Sequence, residues 1–168
     1  MQTVSIEDAV AVTQPAALLV FDHLDDQRNL GAAIRSAVAA GLRSIVVPKR
    51  RAAPIGAAAF KAAAGTLEVV SLVEVSSIPE ALRRLEQLGV WRVGLDGLGE
   101  RSLFGFELLA EPVAVVVGAE GAGLHRLTAE RCDAIVRIPH AGPAESLNAS
   151  VATALAVFEV SRARGWVS

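Results

Sequence analysis

Short runs of valine and leucine alternate along the chain with segments whose apolar residues recur every three to four positions. The first pattern indicates strands and the second indicates helices. Their alternation is typical of β-α-β units, so we expect an α/β fold with a mostly parallel sheet and helices on both faces. The predicted strands cover residues 17–21, 44–47, 67–73, 90–95, 113–117 and 134–138.

Four helices are predicted from the same periodicity. The first carries apolar or small residues from Leu30 to Val38 at helical spacing, and Gly41 is a residue type that commonly follows a last turn. Two others are predicted over residues 55–64 and 79–88. The last begins near Ser146, and its apolar positions 147, 151, 154, 155 and 158 share one stripe.

The length of 168 residues suits one compact domain. We interpret residues 1–15 as a leader or linker with weak structure, and residues 16–168 as the single domain. No apolar run approaches the roughly 20 residues of a membrane-spanning helix, and the start lacks the features of a secretory signal. We therefore expect a soluble cytoplasmic protein with no membrane partner.

Composition argues against several functions. A net charge of −2 and the absence of tyrosine disfavour general binding to nucleic acids, so any RNA contact must be local and DNA is not expected. The single cysteine, Cys132, is interpreted as a buried small apolar residue. With three scattered histidines and no cysteine pair, the sequence offers no obvious metal ligand set, and we predict no metal.

A glycine-rich turn follows the predicted strand at 113–117. Gly118, Gly121 and Gly123 have the spacing G-x-x-G-x-G, whereas a dinucleotide fingerprint needs G-x-G-x-x-G. No acidic residue ends the next strand, so a nicotinamide-dependent oxidoreductase is disfavoured. Taken alone, the turn is consistent with a nucleotide-shaped ligand or with a tight turn that binds nothing.

Three segments, in this order, resemble the signature motifs of the SpoU family. Residues 26–37 read DQRNLGAAIRSA, like the family's DPxNxGxxxRSA, and residues 118–124 read GAEGAGL, like GxEGxGL. Ile138-Pro139 and the later SLNASVA at 146–152 resemble IPM followed by SLNVSVA. Gln27, His140 and Ala149 depart from the usual proline, methionine and valine. Three ordered motifs are far more specific than one glycine pattern.

The resemblance implies a SPOUT-type fold with a C-terminal trefoil knot, a homodimer, and transfer of a methyl group from S-adenosylmethionine to a ribose 2′-hydroxyl of RNA. The residues from 113 onward most resemble the branch that methylates a guanosine ribose in 23S rRNA. Transfer RNA is the nearest alternative substrate. A non-catalytic RNA-binding protein of the same fold is the alternative from a different class.

The resemblance also implies the site residues. Arg35 would be the principal catalytic residue, and the motifs add Asn29, Glu120, Ser146 and Asn148. Backbone groups of Gly118, Ile138 and Leu147 would hold the methyl donor. Structural explanations exist for each side chain: Arg35 as a solvated helix arginine, Asn29 and Ser146 as helix N-caps, Asn148 as a first-turn residue, and Glu120 as an exposed turn carboxylate. The basic residues 49–51 are a further candidate for phosphate contacts.

Overall fold

The computed structural model describes residues 2–49 and 56–166, except for the side chain of Phe60. The strands are β1 Gln2–Thr3, β2 Ala17–Phe21, β3 Ser44–Pro48, β4 Ser71–Val75, β5 Trp91–Leu95, β6 Arg101–Ser102, β7 Val113–Val117 and β8 Ala134–Arg137. The helices are α1 Ile6–Ala11, α2 Gln27–Ala39, α3 Ala57–Ala62, α4 Ile78–Gln87, α5 Arg126–Glu130 and α6 Ala149–Ala163. Short 3₁₀ helices cover Thr66–Val69 and Glu107–Ala110.

The described strands form one sheet in the order β1-β4-β3-β2-β7-β5-β8-β6, and every pairing between them is parallel. The predicted α/β class with a parallel sheet is confirmed. Within residues 2–49 and 56–166, no helix is both long enough and apolar enough to cross a membrane.

Helices cover both faces of the sheet because the central strands are apolar on both sides. Leu19 and Val115 face a core shared with α2 and α6, while Leu18 and Val116 face a second core shared with α1 and α4. All of these positions in β2 and β7 are buried. The predicted limits of both strands are confirmed, since a strand that is apolar on both faces has an unmistakable pattern.

The pairing of β2 with β7 positions the motifs. These strands are parallel and in register, with Phe21 opposite Val117. The chain therefore leaves both strands at the same edge of the sheet, and the segment that begins at Asp22 starts beside the glycine-rich turn that begins at Gly118. Two motifs that lie far apart in sequence meet here.

The predicted weak structure of residues 1–15 is wrong for most of that segment. Gln2–Thr3 adds a parallel strand beside β4, and α1 follows with Ser5 as its N-cap. Ala9 of this helix is buried in the second core. A strand of two residues and a helix of six are too short to show periodicity, which is why the pattern missed them, as it missed β6 and α5.

Two other predicted boundaries are corrected. Residues 67–73 are not one strand: Gly65 has a φ of 81°, a 3₁₀ turn follows, and β4 begins only at Ser71. The last helix begins at Ala149 rather than near Ser146, because Asn148 is its N-cap. The helix predicted at 55–64 is observed over Ala57–Ala62, and residue 55 lies outside the described residues.

The apolar stripe predicted on the last helix does not face the core. Val151, Leu155 and Phe158 are 48%, 36% and 43% exposed. The buried face of α6 carries small and β-branched residues instead, among them Ala156, Val157 and Val160. The stripe is therefore an apolar surface of the chain.

Strand β8 lies between β5 and β6, although β5 and β6 follow each other in the sequence. The connection at 96–100 must cross β8, and a Cβ added at Gly99 would lie 2.6 Å from the carbonyl carbon of Val136. Only glycine allows the two backbones to approach so closely. The predicted trefoil knot stays a prediction that agrees with this strand order.

Candidate active site

A cavity of about 580 Å³ opens at the carboxyl ends of β5, β7 and β8. Its walls come from residues 95–98, from the glycine-rich turn, and from the segment that joins β8 to α6. Ligand sites in open parallel sheets occur at this end of the strands. The volume lies within the roughly 300–1,000 Å³ that is usual for small-molecule sites.

The glycine-rich turn folds back on itself to form one wall. Ala119 and Gly123 make an isolated antiparallel bridge, and a Cβ added at Gly118 would lie 2.0 Å from the carbonyl oxygen of Gly123. Gly121 and Gly123 have φ values of 75° and 68°, which favour glycine. The turn therefore presents backbone atoms to the cavity.

Asp96 holds this turn against the segment that crosses β8. Its Oδ1 accepts a hydrogen bond of 2.9 Å from the Leu98 amide, and its Oδ2 accepts one of 3.2 Å from the Leu124 amide. Asp96 also lines the cavity. One carboxylate thus fixes the relative position of two cavity walls.

Asn148 joins the three motifs at the cavity. Its Nδ2 donates to Asn29 Oδ1 at 3.1 Å and to Glu120 Oε2 at 3.3 Å. Its Oδ1 accepts from the amide of Ser150 at 2.9 Å and so caps α6. Both amide hydrogens and the carbonyl oxygen of Asn148 are used, which fixes the orientation of its side chain.

The structure brings most of the predicted site residues together. Gly118, Glu120, Ile138, Ser146 and Leu147 line the cavity, and Asn29 and Asn148 reach it through Glu120. The cap explanations for Asn29 and Ser146 are wrong, because Asp26 caps α2 and Asn148 caps α6. Their proposed roles in the reaction remain predictions.

Arg35 is not part of the cavity wall. It lies on an exposed part of α2, and it has no hydrogen bond or ion pair to any residue that the structure describes. A guanidinium in this state is free to bind an external anion. Of the basic group at 49–51, Lys49 is exposed after β3, while Arg50 and Arg51 lie outside the described residues.

Sequence reasoning missed Asp96 and a second group of polar residues beside the turn. Asp22, His23 and His125 lie together, although the two histidines are 102 positions apart in the sequence. No sequence pattern could have found the second group, because it is the parallel pairing of β2 with β7 that places the residues after Phe21 beside those after Val117. Cys132 is half-buried, and burial raises the pKa of its thiol to about 12.

A parallel sheet with a cavity at the carboxyl ends of its strands, walled by a glycine-rich turn, is the architecture that α/β proteins use to bind small ligands. The family follows from comparison: the chain belongs to the SpoU rRNA methylase family, whose sequence model matches residues 16–158. The resemblance predicted from the three motifs is confirmed.

Two relatives bear the name of the branch that the sequence resembles, the 23S rRNA guanosine methyltransferases. The chain is 43% identical over 159 residues to the 23S rRNA (guanosine-2′-O-)-methyltransferase RlmB of Vibrio parahaemolyticus, covering 95% of this chain and 64% of that protein. It is 46% identical over 148 residues to the RlmB of Yersinia pestis, covering 88% and 60%. The chain thus spans less than two thirds of the length of these relatives.

Solved structures show the same fold. The crystal structure of an RNA 2′-O ribose methyltransferase aligns with a TM-score of 0.79 at 31% identity, covering 89% of this chain and 57% of that one. The SpoU methyltransferase AviRb of Streptomyces viridochromogenes, solved in complex with AdoMet, aligns with a TM-score of 0.79 at 29% identity. That alignment covers 90% of this chain and 61% of the other.

Proposed function

We propose that the chain transfers a methyl group from S-adenosylmethionine to a ribose 2′-hydroxyl of RNA, and that 23S rRNA is its substrate. The names of its relatives support the reaction and the substrate. The complex of AviRb with AdoMet supports the donor. Among the described residues, the cavity on the glycine-rich turn is the place where this donor would fit.

The observation that carries the proposal is the contact of Asn148 with Asn29 and Glu120. These residues come from three separate motifs and meet beside the cavity. If the segments served only as caps and turns, nothing would require a side chain from each to converge at one point. Convergence on a cavity is what a reaction site needs.

The cavity fits the donor through its backbone. S-Adenosylmethionine supplies an electrophilic methyl group when it is bound, and backbone groups of Gly118, Ile138 and Leu147 would hold it. The turn favours such contacts because it is packed too tightly on itself for a Cβ at Gly118, which would meet the carbonyl oxygen of Gly123, and so it presents backbone to the cavity. Positioning a nucleophile against a bound electrophile can lower a barrier by ~7–11 kcal/mol in favourable cases.

Arg35 would act on the RNA rather than on the donor. A guanidinium stays protonated in proteins, so it serves poorly as a general base. It would bind the phosphate beside the target ribose and stabilise negative charge on O2′, while the phosphate or a water molecule takes the proton. Its exposure and lack of partners among the described residues suit this role.

A homodimer is part of the proposal. Val151, Leu155 and Phe158 form an exposed apolar stripe at i, i+4 and i+7 on α6. The stripe begins at Val151, within one turn of Asn148, so a second copy packed on this end of the stripe would lie close to the cavity. A cytoplasmic location remains an expectation that follows from the proposed substrate.

The test is methyl transfer from labelled S-adenosylmethionine to total rRNA and total tRNA, followed by mapping of the modified nucleotide. We expect a 2′-O-methylated guanosine in 23S rRNA. Labelling of tRNA alone would show that the substrate is tRNA and not 23S rRNA. Donor binding without any transfer would favour a non-catalytic RNA-binding protein.

Arg35→Ala tests the proposed chemistry. We expect the rate of transfer to fall by about 10²-fold or more, as when a group that stabilises an oxyanion is removed, with unchanged affinity for the donor. Arg43→Ala is the matched control, because Arg43 is also exposed but precedes β3, at the opposite edge of the sheet. Full activity in Arg35→Ala would refute the assigned role.

A further inference from the structure

A second polar cluster lies beside the glycine-rich turn but outside the cavity. Asp22 and His23 follow β2, and His125 immediately precedes α5. One ligand atom from each of the three side chains lies within 4.8 Å of the other two. None of the three lines the cavity, so the proposed methyl transfer leaves the cluster unexplained.

Asp22 is an anionic group held in a fixed position. Its side chain is only 2% exposed. Its Oδ2 accepts a hydrogen bond of 2.6 Å from the His125 amide, and its Oδ1 accepts one of 2.6 Å from Thr128 Oγ1. Each carboxylate oxygen keeps a further lone pair, so the group can still bind a cation.

The separation of Asp22 from His125 suits a tetrahedral ion. His125 Nδ1 lies 3.2 Å from Asp22 Oδ2. Two ligands at about 2.0–2.1 Å from a tetrahedral Zn²⁺ are themselves about 3.3 Å apart, so this pair already has the required separation. His23 stacks on His125 with ring centroids 4.1 Å apart and an interplanar angle of 14°, so its ring has to turn, and to move by up to about 1.5 Å, for both imidazoles to point at one ion.

His23 supplies an independent observation. Its Nδ1 is buried and has no hydrogen-bond partner among the described residues. A buried polar atom without a partner is costly and calls for an explanation. Coordination through Nδ1 would give this atom a partner.

We propose that Asp22, His23 and His125 form a binding site for a divalent transition-metal ion of the Zn²⁺ type. Two imidazoles and one carboxylate favour Zn²⁺, Co²⁺ or Ni²⁺ over Ca²⁺ and Mg²⁺, which prefer oxygen ligands. The His125 side chain is 62% exposed, which gives an ion access and leaves the fourth position to water. A bound ion would tie the end of β2 to the start of α5, across the glycine-rich turn.

The test uses the full chain without a histidine tag, titrated with CoCl₂ and followed by visible absorption. Tetrahedral Co²⁺ gives intense d–d bands, and ZnCl₂ should abolish them by competition. His125→Ala and His23→Asn should each weaken Co²⁺ binding by about tenfold or more, since even outer-shell changes at metal sites cost about 10–100-fold. Circular dichroism of each variant establishes that it is folded.

The chain contains a matched control, because His140 is its third and last histidine. His140 lies in the segment between β8 and α6, and His140→Asn should bind Co²⁺ as the unchanged protein does. Zn²⁺ should also raise the melting temperature of the unchanged protein and of His140→Asn, but not that of His125→Ala. Absence of tetrahedral bands, equal affinity in His125→Ala, or a thiolate charge-transfer band from Cys132 would overturn the site.

Discussion

Replacing Asn148 separates two jobs that this residue performs. It caps α6 through Oδ1, and it joins Asn29 to Glu120 through Nδ2. Serine preserves a cap, but its single hydroxyl cannot donate the two hydrogen bonds that the side-chain amide of Asn148 donates. Alanine preserves neither function. Comparison of Asn148→Ser with Asn148→Ala therefore divides the effect on stability from the effect on the site.

The magnitudes follow from the contacts. Loss of an N-cap to alanine costs about 1 kcal/mol, and serine is about as good a cap as asparagine. For a chain of this size, about 1 kcal/mol lowers the melting temperature by roughly 2–4 °C. The melting temperature of Asn148→Ala should thus be lower by that amount, and the melting temperature of Asn148→Ser should be close to that of the unchanged protein. The side-chain link adds little stability because Asn148 is exposed.

Methyl transfer should respond differently. Both variants lose the link between the three motifs, so both should lose transfer to RNA by at least about tenfold, a loss of roughly 1.4 kcal/mol of transition-state stabilisation. The measurements are calorimetric melting and single-turnover transfer of label at saturating donor. If Asn148→Ser keeps its full rate, the link is a structural contact only, and the observation that carries the proposed function fails.

Three other changes have defined outcomes. Gly118→Ala should abolish donor binding measured by calorimetry, because the new Cβ would lie 2.0 Å from Gly123 O; Gly142→Ala, where nothing lies within 4 Å, is the control. Leu155→Asp should convert a dimer to a monomer in sedimentation, and a dimer that survives would exclude the α6 stripe as its interface. Glu159 is buried, and hydrogen bonds from Arg162 and from the Gly105 amide lower its pKa below the ordinary 4.5. A carboxyl pKa lowered by folding stabilises the protein above the unfolded pKa, and this contribution is lost as the pH falls through the folded pKa. The free energy of unfolding of Glu159→Gln, measured by chemical denaturation, should therefore be lower than that of the unchanged protein near neutral pH. Below about pH 4.5 it should depend less on pH, and parallel pH profiles for the two proteins would contradict this.

The limits of sequence reasoning are physical. Strands β2 and β7 were predicted to the residue because both of their faces are buried. The segment from Leu67 onward looked like a continuous strand, yet its first part is a 3₁₀ turn, because Leu67 fills the core from a turn as well as it could from a strand. An apolar pattern reports burial, and the backbone conformation that achieves burial is settled by neighbouring turns.

The candidate site, too, could be predicted only in part from the sequence. Motifs identified the segments that reach the cavity, but the roles of Asn148 as a cap and of Asp96 as a clamp depend on amide hydrogens that no pattern records. The meeting of His23 with His125 depends on which strands are neighbours. Sheet order is a long-range property, and it emerges only when all strands are paired.

Because β8 is inserted between β5 and β6, the cavity is completed late in the synthesis of the chain. Residues 95–98 and the glycine-rich turn leave the ribosome before β8 and the segment after it, yet all of them are walls of one cavity. The early walls therefore have no partner during synthesis. Under the proposed function, the donor can be retained only after β8 and the segment up to α6 have been translated and seated, so donor retention would report completed folding of this domain.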